Sequence, residues 1–152
     1  MTDVYVIGTG CTPFGKHSDR SFADLAQWAY TDAMNDAGLA ISDAALIEQA
    51  WFGNCGMGQW GQGGIRGQVC FTPMVQSGLF PERVPMINVE GGCATASLAF
   101  HGAWKDILSG QCQVSLAIGV EKLVSPDRPE RIPEIFGTAI DQLEPQRWQD
   151  YY

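Results

Sequence analysis

The chain has 152 residues, 45% of them hydrophobic and 17% charged, which suits one domain with a real core and is too short for two comfortable ones. That composition excludes a disordered chain. Nine basic against seventeen acidic residues, a net charge of −8, argue against a nucleic-acid or anionic-membrane partner over the whole surface, while a local site for an anionic cofactor stays open.

Val4-Tyr5-Val6-Ile7-Gly8 reads as a first short strand, breaking into a Gly/Thr/Pro loop from Thr9 to Gly15. Ser21 with Asp24 resembles a capping box. Behind it Phe22, Leu25, Ala26, Ala29, Ala33 and Ala37 recur at helical spacing as far as Gly38, a C-terminal stop. Ser42-Asp43 opens a short helical turn, and Ile47 to Phe52 reads as a second strand. Gly53 to Gly67 is rich in Gly and Gln but interrupted by apolar and aromatic residues, so it is a loop rather than a linker. Ile65 to Gly78 is expected to be helical, with Pro73 either bending the helix or marking its start.

Pro85 to Val89 reads as a third strand, and Gly91-Gly92 follow as a sharp corner. The helix expected to begin at Cys93 carries Leu98, Ala99, Phe100, Ala103, Trp104, Ile107 and Leu108 on more than one face, which predicts burial on several sides. Gly102 inside that helix points to another backbone packed close against it. Gly110 ends the helix, and Val114 to Val120 reads as a fourth strand. Alternating strands and helices predict an α/β fold, βαβαβαβ, with a mainly parallel sheet. After Glu121 the chain turns Pro-rich and charged without a clear period, which reads as an excursion from the sheet, closing on an aromatic ending from Trp148 to Tyr152.

No run of about eighteen apolar residues is present, and the N-terminus lacks a basic stretch followed by an apolar one, so neither a membrane span nor a secretory signal is expected. The five cysteines are odd in number and scattered, which points away from a disulfide framework or a zinc site and towards a reducing, cytoplasmic setting. No metal site is expected.

Cys93 stands where an apolar strand turns into a helix. The unpaired N–H groups and positive dipole end of a helix start favour a thiolate, and a free thiol titrates near ~8.5. In open α/β sheets ligands bind beyond the carboxyl ends of strands, which is where Cys93 falls. The alternative is a small residue filling a tight corner, since unpaired cysteines are often buried and inert. Cys11, Cys55, Cys70 and Cys112 read as structural. His101 lies eight residues along the same helix, ~12 Å away, too far to serve Cys93 as a base, and reads as a buried or interface histidine. His17 lies in a polar loop. Gly8-x-Gly10 lacks the third glycine of a dinucleotide fingerprint. Gly91-Gly92 either lets the backbone approach a ligand or simply allows the corner.

Five segments in register resemble thiolases of the sterol-carrier-protein and acetyl-CoA acetyltransferase type. They are Val6-Ile7-Gly8-Thr9-Gly10 with Thr12-Pro13-Phe14-Gly15-Lys16; Asp36-Ala37-Gly38-Leu39 with Trp51-Phe52-Gly53-Asn54; Gly61-Gln62-Gly63-Gly64-Ile65-Arg66-Gly67-Gln68; Gly92-Cys93-Ala94-Thr95-Ala96-Ser97; and Ala117-Ile118-Gly119-Val120-Glu121-Lys122. The resemblance covers about residues 4–123. It implies a thiolase-like N-terminal core over 1–123 and the start of a loop-domain excursion over 124–152, with a nucleophile helix buried between two related halves.

It further implies that Cys93 accepts an acyl group from coenzyme A, in 3-ketoacyl-CoA thiolysis or Claisen condensation. The Cys93 and Gly92 backbone would help to hold the thioester oxyanion. Coenzyme A and acyl-CoA enter as substrates, no cofactor is bound permanently, and no cofactor-binding residue is assigned. The implied partners are a second copy in a homodimer or larger oligomer, a C-terminal half in the same or a separate chain, and in some relatives a zinc-ribbon/OB-fold accessory subunit. The activating histidine, the second cysteine and the last strand of the first half are expected to lie outside this chain, so the chain reads as incomplete. Glu90-Gly91-Gly92 departs from the polar residues that usually precede the cysteine. Competing readings are another condensing or aldolase-type member of the superfamily, or a non-catalytic half that only shapes an interface.

Overall fold

A computed structural model describes residues 3–148. The residues after Trp148 in the aromatic ending lie outside the described residues. The capping box forms as the sequence predicts: Ser21 Oγ accepts from the Asp24 N–H at 3.1 Å, and the Ser21 N–H donates to Asp24 Oδ2 at 2.8 Å. Helix α1 runs behind it over Phe22–Asp36. A 3₁₀ turn over Ile41–Leu46 leads into strand β1, Gln49–Gly53. Helix α2 is Arg66–Gln76 and holds Pro73 within it rather than at its start. Strand β2 is Met86–Val89, helix α3 is Thr95–Leu108, and strand β3 is Ser115–Gly119.

The three strands form a parallel sheet in the order β2-β1-β3, with Trp51 opposite Ile87 on one side and Ala117 on the other. Side chains of a strand alternate between faces, and β1 uses both. Ala50 and Phe52, fully buried, meet Leu25, Ala26 and Tyr30 of α1 and Cys70, Phe71 and Met74 of α2. An edge-to-face aromatic cluster ties this layer together, with Phe71 and Phe80 centroids 4.7 Å apart and Tyr30 and Phe80 5.6 Å apart. Burying each such ring stabilises the fold by roughly 1.5–3 kcal/mol. Trp51 and Gly53 point the other way, onto α3. A Cβ on Gly102 would meet the Trp51 ring at 2.5 Å. The neighbour that requires glycine at this point of the helix is therefore an indole, not the backbone expected from sequence.

The first expected strand does not form. Val4 to Gly8 makes no ladder pair among the described residues, and Tyr5, Val6 and Ile7 are 60–74% exposed. A cleft of about 350 Å³ separates this segment from the outer edge of β3. Strand is a property of a pair, and here each candidate edge faces the cleft instead of a ladder. What does fix the segment is α1: the Thr9 N–H and hydroxyl both donate to Asp36 Oδ2, at 2.8 and 3.1 Å. Side chains at Gly8 or Gly10 would strike the α1 backbone at Ala33 and Ala29. These two glycines serve close packing on a helix.

Helix α3 buries Thr95, Ala99, Gly102, Ala103 and Asp106 against the sheet, while Leu98, Phe100, Trp104 and Leu108 are 37–54% exposed. The burial on several sides expected of this helix is thus met on one side among the described residues. Beyond β3 the chain forms a helix that periodicity did not predict, α4 over Arg131–Gly137, and a 3₁₀ turn over Pro145–Trp148. Ile135 of α4 is buried, near Gly56. No helix among the described residues is long and apolar enough to cross a membrane.

Candidate active site

The carboxyl ends of all three strands converge, and side chains join backbone bonds in holding them together. Asn54, just past β1 and 1% exposed, is the centre. Its Nδ2 donates to the Val120 carbonyl at 2.6 Å, and its Oδ1 accepts from the Met57 N–H at 2.9 Å. Arg66 Nη1 donates to the Asn54 carbonyl at 2.5 Å. Glu121, past β3, accepts the Cys55 N–H and, at 3.1 Å, the Gly56 N–H. Backbone bonds from Asn54 N–H to the Val89 carbonyl and from Val120 N–H to the Gly53 carbonyl, at 3.3 and 3.2 Å, complete the rim.

On that rim sits the corner holding Cys93. Gly92 has φ +58°, the left-handed region open to glycine, and a 3₁₀ turn over Gly92–Ala94 precedes α3. Cys93 therefore lies in this opening turn, two residues before the α-helix proper. Thr95 locks the corner: its hydroxyl accepts from the Gly91 N–H at 2.9 Å and donates to the Gly92 carbonyl at 2.7 Å. Gly91-Gly92 thus allow the corner. The two backbone donors named from sequence differ. The Gly92 N–H donates to Glu90 Oε1 at 2.6 Å, whereas the Cys93 N–H has no acceptor among the described residues.

Cys93 is exposed. The other thiols contrast with it. Burial pushes the Cys70 thiol up to about 12. Burial first, then Asp106 and Glu48, raise that of Cys112. Burial, Glu90 and Glu121 raise that of Cys55, against a smaller pull from Arg66. Cys11 is exposed in the N-terminal loop. His101, expected to be buried or at an interface, is not buried among the described residues. It stacks on Trp104, ring centroids 5.3 Å apart and 11° between planes, on the outward face of α3. No bond links it to Cys93 among the described residues. A shallow apolar depression of about 600 Å³ lies beside the cysteine turn, lined by Ala94, Ser97, Leu98, Phe100 and His101 among others. His17 hydrogen-bonds the Pro13 carbonyl through Nε2 at 2.6 Å, within its loop. No group of three or more His, Cys, Asp or Glu among the described residues is arranged to hold a metal.

Sequence reasoning assigned no role to Asn54, Arg66, Glu90, Thr95 or Glu121. The available signal was a set of polar residues directly after apolar strands, where a buried carbonyl or N–H needs a partner.

A model of the thiolase N-terminal domain matches residues 4–144. The chain belongs to the thiolase family. Within this thiolase domain, the strand-end corner with an exposed cysteine is the same feature that the sequence singled out. Among curated relatives, the acetyl-CoA acetyltransferase of Methanocaldococcus jannaschii is 36% identical over 161 residues, covering 99% of this chain and 39% of that protein. Sterol carrier protein 2 of Gallus gallus is 33% identical, covering 79% of this chain and 20% of that protein. The benzoylsuccinyl-CoA thiolase subunit BbsB of Thauera aromatica is 30% identical, covering 78% and 28%. The thiolase chain thus spans 39% or less of the length of these three relatives.

Proposed function

We propose that Cys93 is the nucleophile of an acyl-CoA acyltransferase of thiolase type. Its sulfur, as thiolate, attacks the carbonyl of an acyl-CoA. A carbon–sulfur bond forms to Cys93, the bond to coenzyme A breaks, and coenzyme A leaves as a thiolate that takes up the proton given up by Cys93. Transfer of that acyl group to a carbon nucleophile is Claisen condensation, and the reverse sequence is 3-ketoacyl-CoA thiolysis. The observation that carries this reading is an exposed thiol in the opening turn of α3, at the carboxyl ends of parallel strands, whose own N–H is free to meet an oxyanion. The apolar depression beside the turn supports an acyl group lying along α3.

The reading extends to residues 1–123 as the catalytic core and 124–152 as the start of a covering segment. It also extends to a cytoplasmic location, supported by the odd, unpaired cysteine count. The exposed face of α3 supports a second subunit or a C-terminal half as its cover, which would also bring the base that this chain does not place beside Cys93.

The test is to incubate the full protein, with any companion chain that copurifies, with acetyl-CoA at neutral pH and map acylation by mass spectrometry. Addition of 42 Da on Cys93, absent in Cys93→Ser, is the expected result. Acylation elsewhere, or none at Cys93, overturns the reading.

A further inference from the structure

Glu90 is set directly in front of the nucleophile corner, and its carboxylate is anchored there. Oε1 accepts the Gly92 N–H at 2.6 Å, one peptide from Cys93. Chain geometry limits the distance from that oxygen to the Cys93 Cα to about 8 Å. The residue is exposed, and its carboxylate also lies beside the Cys55 thiol on the same rim. The charged neighbours do not cancel it. Glu121, from the β3 side, adds a second negative charge around Cys55, and its carboxylate is fixed by the Cys55 and Gly56 N–H groups. Arg66, from α2, is the only cation in this group, and its guanidinium is turned to the Asn54 carbonyl at 2.5 Å and Asn54 Oδ1 at 3.4 Å.

We infer that Glu90 is a specificity-determining residue that excludes acyl groups bearing their own carboxylate and leaves uncharged acyl groups as the substrate class. The inference rests on the acyl-thioester reading of Cys93. A substrate carboxylate that comes within about 8 Å of Glu90 is repelled enough to change a rate by at least roughly twofold under full water screening and by roughly thirtyfold under that of a protein surface. A glutamine at position 90 keeps an oxygen acceptor for the Gly92 N–H while removing the charge. Charge and corner geometry are thereby separated.

In the full protein, the rate of Cys93 acylation is measured with acetyl-CoA and with succinyl-CoA for the wild type, Glu90→Gln and the remote surface control Glu82→Gln. The expected result is a preference for acetyl-CoA that falls by at least about twofold in Glu90→Gln and holds in Glu82→Gln. An unchanged preference in Glu90→Gln, or an equal fall in Glu82→Gln, overturns the inference.

A second measurement needs no acyl transfer and is made on the wild type, Glu90→Gln and Glu82→Gln. The ratio of Cys93 alkylation rates by neutral iodoacetamide and anionic iodoacetate is compared with that of free cysteine, at ~0.01 M and ~1 M salt, where the screening length shrinks from about 30 to about 3 Å. A ratio above that of free cysteine at low salt, collapsing towards it at high salt, supports the inference. A ratio equal to that of free cysteine at both salts overturns it. Failure of both thioesters to label Cys93 removes the acyltransferase reading, while a low-salt alkylation ratio that falls in Glu90→Gln and holds in Glu82→Gln still decides whether Glu90 repels anions.

Discussion

Trp51 donates its indole N–H to Asp106 Oδ2 at 2.6 Å while the face of the same ring covers Gly102. One side chain of β1 thus sets both the depth and the rotation of α3, the helix whose opening turn presents Cys93. Gly102→Ala places a methyl 2.5 Å from the ring. Overpacking of this kind costs about 1–3 kcal/mol, against about 1 kcal/mol regained from helix propensity. The expected net loss is between about 0 and 2 kcal/mol by urea denaturation. A midpoint above wild type would show that the helix seats with room to spare.

Gly92 carries the left-handed corner, and a side chain there costs about 1–2 kcal/mol. Gly92→Ala is expected to lower stability by that amount and to slow iodoacetamide labelling of Cys93. Gly92→Asn should recover much of both, because asparagine visits this region. Equal behaviour of the two variants would disprove the backbone argument.

Asp24 closes the capping box of α1, and its hydrogen bonds from Ser21 hold its carboxyl below the usual 3.8. A carboxyl depressed in the folded state contributes stability above its unfolded pKa and loses it as pH falls through the folded value. Asp24→Asn should therefore cost roughly 0.5–1 kcal/mol at pH 7, and the difference from wild type should shrink progressively as pH falls below 3.8. Thermal unfolding across that range measures it. A difference independent of pH sinks the assignment.

Tyr30 is buried, donates its hydroxyl proton to the Leu79 carbonyl at 3.0 Å, and is pushed up to about 12 by burial. Here the folded state favours the protonated form. Stability is fully present below pH 10 and drains away as pH rises towards 12. Tyr30→Phe should lose about 1 kcal/mol at pH 7 yet fall less steeply above pH 10. Parallel alkaline limbs in the two proteins would count against it.

Local signals in the sequence located most elements. The Ser21–Asp24 box predicted the start of α1, and apolar runs predicted β1, β2 and β3 to within about two residues. What failed depended on partners. Val4 to Gly8 has strand composition, but composition supplies no neighbour. α4 is short, with Pro133 inside its first turn, and shows no period to detect. Cys93 was legible because a strand, two glycines and a helix are contiguous. Asn54 and Glu121 were not, because their work crosses the fold: Asn54 meets Val120, and Cys55 meets Glu121, each across 66 positions.

The cleft between Val4–Gly10 and β3 bears on how this domain is handled in the laboratory. Its lining joins the outer strand β3 to side chains of α1 and α3, among them Tyr30, Phe100 and Trp104, and the Ser115 hydroxyl is buried there without a partner among the described residues. Such a border welcomes any extended peptide that offers matching groups. Preparations of these residues alone should grow turbid with concentration and clear when a strand-forming peptide is supplied, so dilute stocks and light-scattering checks belong in every experiment named above.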